Sequence, residues 1–145
     1  MQVLRLGLSL CFIFIIGCSE APEQKVKHSQ TTKEDSLVQT VSDDSFKDFV
    51  SAPGIVVINF GAPWCGVCVY MKPVVKQAAQ ELKPDVKFGY VDIDKYSKAA
   101  DLFKVGPIPN FTVFRDGQPV GQFIGKADIE EFKELILQHE IKTKE

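Results

Sequence analysis

Ile55-Val56-Val57-Ile58-Asn59-Phe60 constrains this chain more than any other stretch. Apolar side chains stand at odd and even positions alike, and four of the six are β-branched. A strand with one wet face alternates apolar and polar residues; a strand like this one is covered on both sides. The chain must therefore build a sheet with helices above and below it. The surrounding pattern agrees. Leu37 to Val41 alternates apolar and polar residues as a short first strand. Ser42 is a helix N-cap with Asp43 and Asp44 in the first turn, and Phe46, Phe49 and Val50 share one apolar face. Pro53-Gly54 ends that helix. After the central strand, Gly61-Ala62-Pro63-Trp64 is a loop, and a helix runs from about Cys65 to Leu82, with Pro73 set to kink it. Val86 to Val91 is a strand and Lys95 to Phe103 a short helix. Asn110 to Arg115 and Val120 to Ile124 form a hairpin around Asp116-Gly117. Asp128 caps a last amphipathic helix through Ile129, Phe132, Leu135 and Ile136. Strands alternating with helices, then a hairpin and a helix, give an α/β fold with a mixed central sheet covered on both faces.

Length bounds the rest. The 145 residues hold one domain plus extras. A formal charge of −2 gives no basic footprint, so nucleic acid is not an expected partner. The four cysteines are too few for a disulfide-dense scaffold, so the core comes from apolar packing. The phenylalanines beyond the leader fall at helix and strand periods and belong to that core.

The extras lie in front. Arg5 precedes an uncharged run, Leu6 to Ile16, shorter than the ~20 residues of a spanning helix. A charged start, an apolar run and a small residue describe a secretory signal. Ile15-Ile16-Gly17-Cys18 resembles a bacterial lipoprotein signal. That resemblance implies removal of residues 1–17 and a diacylglycerol on Cys18. Cys11 leaves with the signal. Removing Arg5, the one charged residue before Cys18, leaves 16 of the 17 basic residues against 19 acidic ones, a formal −3. Ser19 to Ser36 is polar and charged, with Val26 its one aliphatic residue larger than Ala. It cannot bury enough surface to offset its ordering, and reads as a tether with a reach of roughly 20–25 Å. His28 is a solvated residue of that tether. The domains expected are thus 1–17 signal, 18–36 lipidated Cys18 and tether, and 37–145 folded domain.

The chemistry is concentrated in Trp64-Cys65-Gly66-Val67-Cys68. At a strand-to-helix junction the first thiol stands at the helix N-terminus and the second one turn inward. Unpaired backbone N–H groups and the helix dipole favour a thiolate at Cys65, and such surroundings lower a thiol pKa from about 8.5 towards 7 or below. Cys68 is close enough to close a disulfide and to resolve a mixed disulfide formed at Cys65. Zinc would want a second ligand pair, which the mature chain lacks once Cys18 is acylated, so no metal is expected. A c-type haem needs His after the second cysteine, where Val69 stands. An inert disulfide would close a tiny loop and contribute little.

With these residues quoted, the chain from Leu37 to His139 resembles the thioredoxin family. The matches are the Trp64–Cys68 motif, Pro73 five residues after it, Val91-Asp92-Ile93-Asp94, Ile108-Pro109, Asp116-Gly117 and Gly125. The resemblance implies sheet order 1-3-2-4-5, a cis peptide before Pro109, and thiol–disulfide exchange on protein substrates with no cofactor beyond the Cys65–Cys68 pair. It places Trp64, Gly66, Val67, Ile108 and Pro109 at the substrate surface, with the Ile108 backbone free to pair with an extended segment. Three residues depart from the family's pattern. Asn59 stands where a buried Asp usually moves a proton from the second cysteine, Tyr90 where a Lys is common, and Val67 where Pro is usual. Asn cannot act as a base, so resolution by Cys68 is expected to be slow or to use water; otherwise Asn59 simply satisfies a buried hydrogen bond.

Gly66-Val67 and Ile108 resemble reductases of the family more than disulfide-forming oxidants, which usually carry His between the cysteines. The expected protein is a monomeric protein-disulfide reductase, lipid-anchored in a bacterial cell envelope, where a reductant requires a membrane electron donor. The alternatives are an oxidase or isomerase on the same fold, or a non-enzymatic copper chaperone, since thiolates select Cu(I). Asn110-Phe111-Thr112 matches a glycosylation triplet of little expected use, and Gly125-Lys126 is no phosphate loop, because upstream glycines are missing. His139 is expected to interact with a helix C-terminus, and Lys142 and Lys144 to form a solvated tail.

Overall fold

The computed structural model describes residues 37–140. The expected signal, Cys11, Cys18, the tether with His28, and the tail with Lys142 and Lys144 lie outside the described residues. Nine elements follow in order: β1 (Val38–Thr40), α1 (Asp43–Val50), β2 (Ile55–Gly61), α2 (Gly66–Glu81), β3 (Val86–Asp92), α3 (Ser97–Leu102), β4 (Asn110–Arg115), β5 (Gln118–Ile124) and α4 (Ile129–Leu137). The sheet order is β1-β3-β2-β4-β5. β1, β3 and β2 run parallel, and β4 and β5 are antiparallel additions at one side.

β2 is buried along its whole length, as its composition demands. Ile55 and Val57 face a layer made by α2 and α4, with Met71, Val75, Phe132 and Ile136. Val56, Ile58 and Phe60 face the opposite layer, with Phe46, Phe49 and Val50 of α1 and Ala99 and Ala100 of α3. Each fully buried side chain of this kind contributes about 1.5–3 kcal/mol. β2 is therefore the strand on which both layers are keyed.

Local signals set the element ends. Ser42 caps α1 by accepting the Ser45 N–H at 3.3 Å, and Ser45 Oγ accepts the Ser42 N–H at 3.0 Å, a reciprocal capping box. Asp128 caps α4 by accepting the Glu131 N–H at 3.0 Å. The hairpin turn puts Asp116 at φ 48° and Gly117 at φ 82°, the left-handed pair that a two-residue hairpin requires. β5 starts at Gln118, two residues before the expected start, because Pro119 sits on a sheet edge where its missing N–H costs no ladder bond. α3 is shorter than expected, since the Asp92-Ile93-Asp94 turn takes up Lys95 and Tyr96 first. Phe103 and Phe123 are half-buried at the margins of the two layers rather than inside them, as are Ile129 and Leu135 on α4.

Gly89 was not singled out from sequence. A Cβ there would lie 2.8 Å from Ile58, Phe49 and Val41 side-chain carbons. Its bare backbone is what lets α1 settle against β3.

Candidate active site

β2 ends at Gly61, and the chain turns through Ala62, Pro63 and Trp64 into α2. Cys65 is the N-cap of α2 in extended conformation, and its Sγ accepts the Cys68 N–H at 3.1 Å. The two cysteines are joined as a disulfide with Cα atoms 5.2 Å apart. Cys65 is 7% and Cys68 2% exposed, so one sulfur borders solvent and the other lies beneath it. Both pack with Ala62 against Ile93 and Ile108. The N-terminal turn of a sixteen-residue helix thus points its free N–H groups at the outer sulfur. In the reduced protein these groups stabilise the Cys65 thiolate.

The other expected residues gather at this point. Ile108-Pro109 is cis and lies against the cysteine pair. Among the described residues the Ile108 backbone makes no hydrogen bond, while the Pro109 carbonyl accepts the Gly125 N–H at 2.9 Å. Trp64 is 70% exposed, and its Nε1–H donates to Asp94 Oδ2 at 2.8 Å. Gly66 faces open space and Val67 is exposed. A second cis bond, Lys83-Pro84, lies far along the chain from the motif.

Asn59 is 4% exposed and pairs in register with Tyr90 on β3. The expectation of a satisfied hydrogen bond fails at one atom: Asn59 Oδ1 has no partner among the described residues. Asn59 borders a cleft of about 270 Å³ lined also by Val38, Thr40, Lys72, Val75, Lys76 and Tyr90. An unmade bond costs about 1–3 kcal/mol, which the apolar burial of the rest of β2 outweighs. The Tyr90 ring and Cys68 both border Gly61. A Cβ on Gly61 would meet Tyr90 Cε2 at 3.2 Å and Cys68 Sγ at 3.4 Å, so ring and sulfur share one small space. Burial holds the Tyr90 hydroxyl above its ordinary pKa, with the carboxylates of Asp92 and Asp94 adding to the effect.

Two side-chain contacts around the site also escaped the sequence. Lys126 Nζ stands 4.0 Å from the Tyr70 ring centroid, a cation–π contact of about 0.5–1 kcal/mol at an exposed site. The Trp64–Asp94 bond is the other, although Asp94 belongs to a quoted motif. Asn110 is fully buried, so the triplet it begins cannot accept a glycan in the folded protein. The His139 ring lies against Gly121 of β5, just past the end of α4. Among the described residues no cluster of His, Cys, Asp and Glu could hold a metal, and no helix is long and apolar enough to cross a membrane.

Comparison with known proteins accords with this geometry. The thioredoxin family model matches residues 37–138. The thioredoxin of Chlamydia pneumoniae is 37% identical over 103 residues, covering 71% of this chain and 99% of that protein. The thioredoxin of Mycobacterium tuberculosis strain H37Rv is 36% identical over 96 residues, 66% of this chain and 83% of its own. Among solved structures, a mutant thioredoxin from Halobacterium salinarum NRC-1 superposes with a TM-score of 0.65 at 28% identity, over 74% of this chain and 94% of that one. A disulfide on a helix N-terminus beside a cis-proline, and likeness to thioredoxins along nearly their whole length, lead to one conclusion: the chain belongs to the thioredoxin family and is a thiol–disulfide oxidoreductase acting on protein thiols and disulfides.

Proposed function

We propose that this enzyme works as a reductant of protein disulfides in a bacterial envelope, held there by a lipid on Cys18. The observation that supports it most is Cys65 Sγ at the head of α2, accepting the Cys68 N–H. In the reduced enzyme the Cys65 thiolate attacks one sulfur of a substrate disulfide. A Cys65–substrate disulfide forms, and the other substrate sulfur leaves as thiolate and takes a proton. Cys68 then gives its proton to water, attacks Cys65 Sγ, and releases the second substrate sulfur. Two electrons have passed to the substrate, and the Cys65–Cys68 disulfide remains. A membrane electron donor returns two electrons, and one proton from water restores the Cys68 thiol beside the Cys65 thiolate. Trp64, Gly66, Val67, Ile108 and Pro109 form the substrate surface, with the unpaired Ile108 backbone taking the substrate as an added strand. No cofactor takes part.

With Asn59 at the position where the family usually carries an Asp, no carboxylate there collects the Cys68 proton, which suits a dedicated partner that tolerates slow release. The test is the reduction potential of the Cys65–Cys68 pair, joined to turnover of a protein disulfide. A value near about −270 mV fits a reductant, and one near about −120 mV an oxidant. That gap is roughly 7 kcal/mol. Tight Cu(I) binding without disulfide turnover would point to a copper chaperone instead. Normal turnover by Cys65→Ser would overturn the mechanism.

A further inference from the structure

The rim of the site carries two opposite charges, each fixed by an aromatic ring. On one flank Asp94 is held by the Trp64 indole at 2.8 Å. On the other, Lys126 stands over the Tyr70 ring at 4.0 Å. The position of Lys126 is set by the backbone on both sides of it. The Gly125 N–H donates to the Pro109 carbonyl at 2.9 Å, and the Ala127 N–H reaches Met71 Sδ at 3.5 Å. Lys126 is thereby stitched between the cis-proline loop and α2, the two walls beside the disulfide. It is exposed, and no carboxylate among the described residues pairs with it. Tyr70 keeps its ammonium near the surface but leaves the outward side open to a second partner.

We propose that Lys126, clamped on Tyr70, selects protein disulfides whose attacked cysteine has an acidic side chain within a few residues. The proposal rests on the exchange chemistry above and names its substrate class. A segment paired with Ile108 puts its cysteine over Cys65 and its flanking residues over the two flanks. A carboxylate on the cis-proline flank meets Lys126, whereas an ammonium there meets repulsion. On the Trp64 flank Asp94 reverses that preference, so the polarity also orients the segment.

The test uses the full chain in reduced form and two sets of three peptides, in which Glu, Gln or Lys stands on only the N-terminal or only the C-terminal side of one cysteine and Gln on the other side. The cysteine is capped as a mixed disulfide with 2-mercaptoethanol, which carries no charge. Second-order rate constants are read from acid-quenched samples by mass spectrometry. In the set whose varied residue falls on the Lys126 flank, the Glu peptide is expected to react about two- to five-fold faster than the Lys peptide at low ionic strength, and the other set shows no such preference for Glu. High salt should shrink that ratio towards one. Lys126→Glu should invert it, Tyr70→Leu should reduce it, and Lys87→Gln, on the far face over Phe49, should leave it alone. Using a ratio cancels any general loss of activity in a variant. Rates for the Glu peptide no higher than for the Lys peptide in both sets, or a ratio unmoved by Lys126→Glu, would overturn the charge selection. No reaction even with the Gln peptide would overturn the exchange reading itself.

Discussion

Cys65 and Cys68 differ by three positions and by a layer of protein. The outer sulfur accepts the Cys68 N–H at the head of α2, and the inner one lies beside Gly61. That asymmetry divides the labour, and Cys68→Ser should leave the first attack intact while stopping release. The expected outcome is a stable mixed disulfide with natural partners, read as bands on non-reducing gels that vanish with dithiothreitol. Asn59 is the next point of leverage. Asn59→Asp would place a carboxyl at a buried position of β2, where burial raises its pKa and makes it a better base. Resolution of the mixed disulfide should accelerate, followed by stopped-flow Trp64 fluorescence; an unchanged rate would defeat the idea that proton removal limits this step. Tyr90 gives a pH signature. Below its ordinary pKa of 10.0 both folded and unfolded Tyr90 are protonated, and its contribution to stability is level. Above that the unfolded chain ionises first, so stability is lost as pH rises through the raised folded value. Urea denaturation at about pH 9 and about pH 11 should show a larger drop in wild type than in Tyr90→Phe.

Among the elements, β2 and α2 carry the site, and β3 carries the packing that keeps them in place. Gly89→Ala forces a methyl into three side chains at 2.8 Å, and overpacking of this kind costs about 1–3 kcal/mol. The midpoint of thermal unfolding should fall by about 4–8 °C for each kcal/mol in a domain of this size. Calorimetry of the variant would measure it. β2 was legible in the sequence because its pattern leaves one solution, burial on both faces. The caps Ser42 and Asp128 and the Asp116-Gly117 turn were legible because each needs only local chemistry. Gly89, the Tyr70–Lys126 contact and the orphaned Asn59 Oδ1 were not. Each depends on which residue faces which across elements dozens of positions apart, and no local pattern encodes that. The cysteine pair and the cis bond before Pro109 lay between these cases. Spacing made the redox chemistry readable, whereas the cis bond came from family resemblance.

At the scale of the whole molecule, attachment and chemistry separate. The catalytic domain packs its own two-layer core, so the lipid proposed on Cys18 serves location alone. Cys18→Ser should move the protein from the membrane pellet to the soluble fraction while leaving its rate with a peptide disulfide unchanged. Persistence in the pellet would refute acylation at that residue. The direction of β1 adds a geometric consequence. It runs parallel to β3 and β2, and the disulfide follows the far end of β2. Leu37 therefore enters the domain at the pole opposite the sulfurs. The first described residue and the reactive sulfurs thus stand at opposite ends of the sheet, so a chain joined at Leu37 leaves the catalytic end uncrowded by its own point of entry.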